Sequence, residues 1–401
     1  MSSSAGSAHG WPDVVRKLLF VAMGLFLVTI VIGVVNGLDL YQFDDNQLLT
    51  HVHAGTLGWI TLSLVGASAW FARGIDRRLA WSLAVLIPVY VAAFYLAIPW
   101  LRAVTGGALL IAILWLVVWA WRIAAARRSL PAIAIALGLT TFTYGAVIGV
   151  LRQVQLANGP SPFPASADIV GAHAAAMTFS YLILVAMGLL EWRIRGTTGR
   201  PTGGLVQVIL LFAGGLIISL TLLFLPSDAV QAAGGLYLVV ELVAVVIFAV
   251  RVLPAAVRID WARGAAARYV AASSIFVLVA TAIFLYVVYR FIADPSIAGD
   301  PSSIRGVLTA SDHAAFVGVV TNLILGLALT LSADRHEGAT AAEQVAFWLM
   351  NLGLAVFLVG LIAEVPEVKR VGAPIMGVGI LVALAVVAIR LRASDLRAAE
   401  A

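Results

Sequence analysis

The chain has no cysteine in 401 residues, little charge, with 11% of positions Asp, Glu, Lys or Arg, and only six histidines. Without cysteine there are no disulfides, thiolate-bound zinc, cysteine-held iron–sulfur clusters or covalent c-type haem, so any metal must rest on histidine. Soluble domains carry about 25% charged residues. Less than half that fraction, with 62% hydrophobic residues and a mean hydropathy of +1.04, excludes a soluble globular domain.

What is present in abundance is apolar sequence. Runs of about 20 residues, the length that crosses a hydrocarbon layer of roughly 30 Å as a helix, recur twelve times. Continuous runs exclude the alternating pattern of a membrane barrel. The expected fold is an all-α integral membrane protein of twelve transmembrane helices in a lipid bilayer, forming one membrane domain over residues 1–401.

The net charge of +5 and pI near 9.7 invite a nucleic-acid reading, which the positions of the charges exclude. All but six of the 25 basic residues lie in alternate loops, the exceptions being Arg102, Arg152, Arg290, Arg305, Lys369 and Arg370. This is the positive-inside bias of a membrane protein. It places both termini in the cytoplasm and Arg152 and Arg290 at outer helix ends. The polar first 15 residues and a long first run without a small-residue cleavage site fit a retained anchor.

Three landmarks recur in order. A polar residue closes the first, fifth and ninth helices (Asn36, Arg152, Arg290). A His–Ala pair opens the second, sixth and tenth (His53-Ala54, His173-Ala174, His313-Ala314). A proline marks the turn before the fourth, eighth and twelfth (Pro99, Pro226, Pro366). We read three repeats of four helices, about 13–128, 129–262 and 263–401. An even helix number gives all units the same orientation, so the expected arrangement is three parallel four-helix repeats in a pseudo-threefold bundle, with the His–Ala pairs at one depth around a common region.

His51 and His53 are two residues, hence about 200°, apart around a helix and face different spaces. In the His–Ala alignment His53 matches His173 and His313, and His51 is either a second-site ligand or a helix cap. Imidazole without thiolate suits haem b iron or copper. Arg152 and Arg290 suit haem propionates or loop aspartates. Glu241, deep in the eighth helix, suits a proton relay or a structural hydrogen bond. Asn322 and Asn351 suit interhelical hydrogen bonds, and His9 and His336 fall in polar segments.

Twelve helices in three groups of four, with histidines opening the second, sixth and tenth, resemble subunit I of the haem–copper oxidase and nitric oxide reductase superfamily. The His-x-His-x4-Gly pattern of His51, His53 and Gly58 is similar to the NnrS family of haem- and copper-containing membrane proteins. The resemblance implies a haem b held between the second and tenth helices by His53 or His51 and by His313, with His173 as a copper ligand. The sixth helix lacks the superfamily's His-x3-Tyr pair, the seventh has no histidine and the tenth has one, so a complete haem–copper catalytic site is not expected. The expectation is a bacterial inner-membrane haem-binding protein in electron transfer or in nitric oxide or oxygen handling, served by a redox partner protein. An oxidase- or reductase-like enzyme is its catalytic form, although no motif shows turnover. The alternative is a proton-coupled secondary transporter with Glu241 as proton carrier.

Overall fold

A computed structural model of the chain describes residues 10–261, 264–298, 301–332 and 340–393. His9 and His336 lie outside the described residues, where no strand occurs. Twelve helices are long and apolar enough to cross a bilayer: α1 (Trp11–Gly37), α2 (Asp45–Ala72), α3 (Arg77–Tyr95), α4 (Pro99–Arg127), α5 (Leu130–Leu156), α6 (Ile169–Arg195), α7 (Thr202–Phe224), α8 (Ala229–Ala256), α9 (Ala265–Ala293), α10 (Ser302–Leu331), α11 (Ala341–Ile362) and α12 (Pro366–Arg392). The protein is an all-helical, multi-pass membrane protein.

Local chemistry sets the helix ends. Proline, whose missing N–H costs nothing in a first turn, opens α1, α4 and α5. Asp44 and Gln47 cap the start of α2 reciprocally, as Thr340 and Glu343 do for α11. Left-handed residues stop the helices at Arg73, Arg128 and Gly196.

Packing separates three helices from the other nine. In their most apolar stretches α2, α6 and α10 are 61%, 59% and 89% buried, and the rest 33–56%. They form the centre of the bundle and are joined by hydrogen bonds through its dry interior: Trp59 Nε1 donates to Thr321 Oγ1 (2.9 Å) and Tyr181 OH to Thr61 Oγ1 (3.2 Å). Asn322 and Asn351, each expected to make an interhelical hydrogen bond, bond each other and link α10 to α11 reciprocally, at 2.9 and 3.2 Å. Where α11 meets α12, added Cβ atoms at Gly353 and Gly379 would stand 2.3 and 2.2 Å from backbone nitrogens of the facing helix, so the backbones themselves are in contact.

Each central helix widens into a π-helical stretch, Ala54–Thr61 in α2, Thr178–Ile183 in α6 and Ala314–Thr321 in α10. Within α2 and α10 the terminal threonine hydroxyl donates to the carbonyl five residues back (Thr56 O and Phe316 O, both 2.9 Å). Such wide turns add a residue to the helix and gather at functional positions.

These stretches give a register that differs from the His–Ala alignment. Counted from the last π residue (Thr61, Ile183, Thr321), a glycine stands five residues later in each helix, at Gly66, Gly188 and Gly326. Trp59 and Tyr181, which make the central hydrogen bonds, both stand two residues earlier. In this register His51 and His173 are equivalent, ten residues before the end, and His53 and His313 are equivalent, eight before. The His–Ala pair of α6 is therefore slipped by two residues, which on a helix turns its histidine to another side.

Candidate functional site

All four membrane histidines lie in the first half of their helices, and the fold ties each by Nδ1 to a backbone carbonyl. His51 reaches Thr29 O on α1 at 2.9 Å, and His173 reaches Gly145 O on α5 at 2.8 Å. Both rings press on a glycine one turn further along that neighbour. A Cβ at Gly33 would stand 2.8 Å from His51 Cε1, and one at Gly149 would stand 3.0 Å from His173 Cε1. His53 and His313 instead bond the carbonyl four residues back in their own helix, Leu49 O (2.7 Å) and Thr309 O (2.8 Å).

A carbonyl oxygen can only accept, so each Nδ1 carries the hydrogen and each neutral imidazole presents an Nε2 lone pair. None of these Nε2 atoms has a hydrogen-bond partner among the described residues. All four rings are half-buried. An imidazole with Nδ1–H on a carbonyl and Nε2 free is the arrangement found in metal-ligating histidines.

The histidines sort into two pairs on opposite sides of α2. His51 and His313 are near enough for their charges to interact, as are His53 and His173. The first pair closes an arc through α11, α12 and α1. His313 meets the Phe357 ring edge-on (4.9 Å between centroids), and Gly37 of α1 lies against Ala373 of α12 and Phe357. The second pair closes an arc through α3, α4 and α5. His53 stacks on Phe94 (3.9 Å, 17° between planes) with Tyr90 edge-on at 6.1 Å, and Gly106 of α4 lies between Tyr90 and Val150 of α5. The expectation that His53, His173 and His313 face one common region gives way to this pairing, because the His–Ala pair of α6 is slipped by two residues against the register of the other two central helices.

Among the described residues no three His, Asp or Glu side chains converge to hold a metal ion. His173 therefore has no set of further ligands for copper. Haem iron differs from a bare ion in taking only one or two protein ligands, a donor set that histidines can supply in pairs.

Arg152 donates to Gln155 Oε1 (2.7 Å) in its own helix, and Arg290 sits beside Tyr286 (3.4 Å), within electrostatic reach of Asp294. Sequence reading passed over Arg102. Its side chain is 4% exposed and donates to Ala93 O, Phe94 O and Asn46 Oδ1 while lying 4.6 Å from the Phe94 ring centre. The signal was available: Arg102 follows Pro99 by three residues, as Lys369 follows Pro366. Lys369 and Arg370 both bind Asp39, at 2.8 and 3.0 Å. Glu241 is buried beside Tyr237 of its own helix, which donates to Oε2 at 3.2 Å, and Oε1 has no partner.

No family model matches the chain, and no curated protein matches it.

Proposed function

We propose that the chain is a bacterial inner-membrane haem b-binding protein, built as three parallel four-helix repeats with both termini in the cytoplasm, in which His51 and His313 hold the haem. The observation that supports it most directly is the state of the imidazoles: two rings on adjacent central helices, each with Nδ1–H fixed on a carbonyl and Nε2 unpartnered. An Nε2 lone pair with no partner in the protein is an acceptor that a ligand can take.

A bound haem supplies a one-electron centre. Were His51 and His313 both to hold the iron, the haem would serve electron transfer with a redox partner protein in preference to nitric oxide or oxygen handling. The chain's own part is to orient the rings through Thr29 O and Thr309 O and to line the arc with Phe357 and Ala373. Two small residues at the α1–α12 contact, Gly37 and Ala373, with 2.6 Å between an added Cβ and the Ala373 methyl, keep the far wall of that arc thin.

Purified protein from cells supplied with iron and haem precursor is expected to show a Soret band and a low-spin spectrum, and the component held by His51 and His313 should be lost in His51→Ala and in His313→Ala. A homogeneous, folded preparation that takes up no haem refutes the reading. Proton-coupled uptake by such a preparation, abolished by Glu241→Gln, supports the transporter alternative.

A further inference from the structure

The second histidine pair is not a spare copy of the first. It has its own walls and a charge the protein leaves uncompensated. His53 and His173 each keep an unpartnered Nε2 beside α3, α4 and α5: the His53 ring stacks on Phe94 with Tyr90 edge-on, and the His173 ring closes on Gly149. Beside Phe94 lies Arg102, a buried cation with no carboxylate partner among the described residues; its bonds go to two carbonyls and an amide. A charge placed there is costly unless an anion joins it.

Three ligand classes can be weighed against these groups. A bare metal ion lacks a third protein ligand and gives Arg102 nothing to bind. A free anion suits Arg102 but leaves two acceptor-only nitrogens facing it, with no proton to offer. A flat metal macrocycle bearing carboxylates satisfies all of them: its metal would take the two Nε2 atoms and a carboxylate would reach the guanidinium. We propose that His53 and His173 are the axial ligands of a second haem, with Arg102 binding one of its propionates.

An internal comparison supports this. Each arc joins the position eight residues before a π end to the position ten before the next one. The arc from α10 to α2 has His313 and His51, an aromatic ring nine residues before its proline (Phe357) and a cation three after it (Lys369). The arc from α2 to α6 has His53 and His173, Tyr90 and Arg102 at the same four places. The arc from α6 to α10 has Ala175, Ser311, Ile217 and Ala229. All four features are present in two arcs and all four missing from the third, so the helix packing does not require them. A ligand shared by two arcs accounts for their appearing together.

The test is haem stoichiometry on the intact chain, by pyridine haemochrome against protein mass, with redox titration alongside. Wild type is expected to carry two haems. His53→Ala and His173→Ala should each retain one, and so should His51→Ala, leaving complementary spectra. Arg102→Leu should lower the midpoint potential of one component only, since removing a nearby positive charge disfavours the reduced iron, and Arg102→Lys should restore most of it. A wild-type protein with a single haem that survives both His53→Ala and His173→Ala overturns the inference whether or not any variant folds poorly. A single haem lost only on changing His53 or His173 upholds it and overturns the assignment of His51 and His313. Absence of haem overturns both.

Discussion

Replacing Gly33 by alanine tests whether the carbonyl-tethered imidazole is what the site depends on. The new methyl would stand 2.8 Å from His51 Cε1, and ordinary contact begins at 3.4 Å, so the ring must retreat from α1 by about 0.6 Å. Its tether is on the same helix one turn earlier, so the same movement stretches the 2.9 Å bond to Thr29 O to about 3.5 Å, the limit of a hydrogen bond. That loses about 0.5–1.5 kcal/mol. Against it stands the gain from Gly to Ala inside a helix, about 1 kcal/mol. The two nearly cancel in fold stability, yet only the first acts on the ligand. Loss of a bond that orients a metal-bound histidine lowers metal affinity about 10–100-fold. Haem titration of the apoprotein, followed by the Soret band, should show that loss while the unfolding temperature in detergent stays close to wild type. Gly24→Ala is the control: it lies on α1, exposed, with nothing within 4 Å of its Cβ, and should leave affinity unchanged. Wild-type affinity in Gly33→Ala would refute the role given to the Thr29 tether.

Thr321→Val removes the acceptor of the buried Trp59 indole N–H. The expected cost is about 1–3 kcal/mol if the donor stays unpaired and nearer ~0.6 kcal/mol if the unfolded chain in the membrane finds partners too. Equilibrium unfolding, with Trp59→Phe and the double variant completing the cycle, separates the two; a cost indistinguishable from zero would remove this bond from the account of the central contact. Asp39, in the α1–α2 turn, is held below the usual carboxylate range first by its hydrogen bond from Lys369 and then by Arg370. Its stabilising contribution is thus full above that range and lost as pH falls through the lowered value. Thermal stability should drop on acidification below about pH 4 in wild type, and Asp39→Asn should show less of that drop; equal pH profiles would argue that the α1–α12 clasp adds nothing.

Much of the fold was legible because membrane helices obey one-dimensional rules. Each must be apolar over its length, prolines open helices where no N–H is missed, and charges leave the hydrocarbon. That is enough to find twelve spans and the helices bearing histidine. Asn322 and Asn351 were also legible as makers of interhelical hydrogen bonds, since a buried amide has few alternatives, but that they bond each other was not. The site was legible only in its ingredients. The two-residue slip in α6 was hidden behind a His–Ala match more conspicuous than the glycines at 66, 188 and 326 that carry the register. Arg102 went unremarked because it counts as one outer arginine among several until its place beside Phe94 and His53 is seen.

By itself, then, the sequence determined that the chain is a helical membrane protein and that any metal it holds must rest on a few histidines near the starts of three helices. Tertiary structure decided which histidines meet: His51 with His313 across one side of α2, and His53 with His173 across the other. The reason is rotation. Each residue turns a helix by about 100°, and each π stretch inserts extra arc that no count of residues reveals until the hydrogen bonds are drawn. The partner of a side chain therefore depends on packing that fixes the phase of its helix.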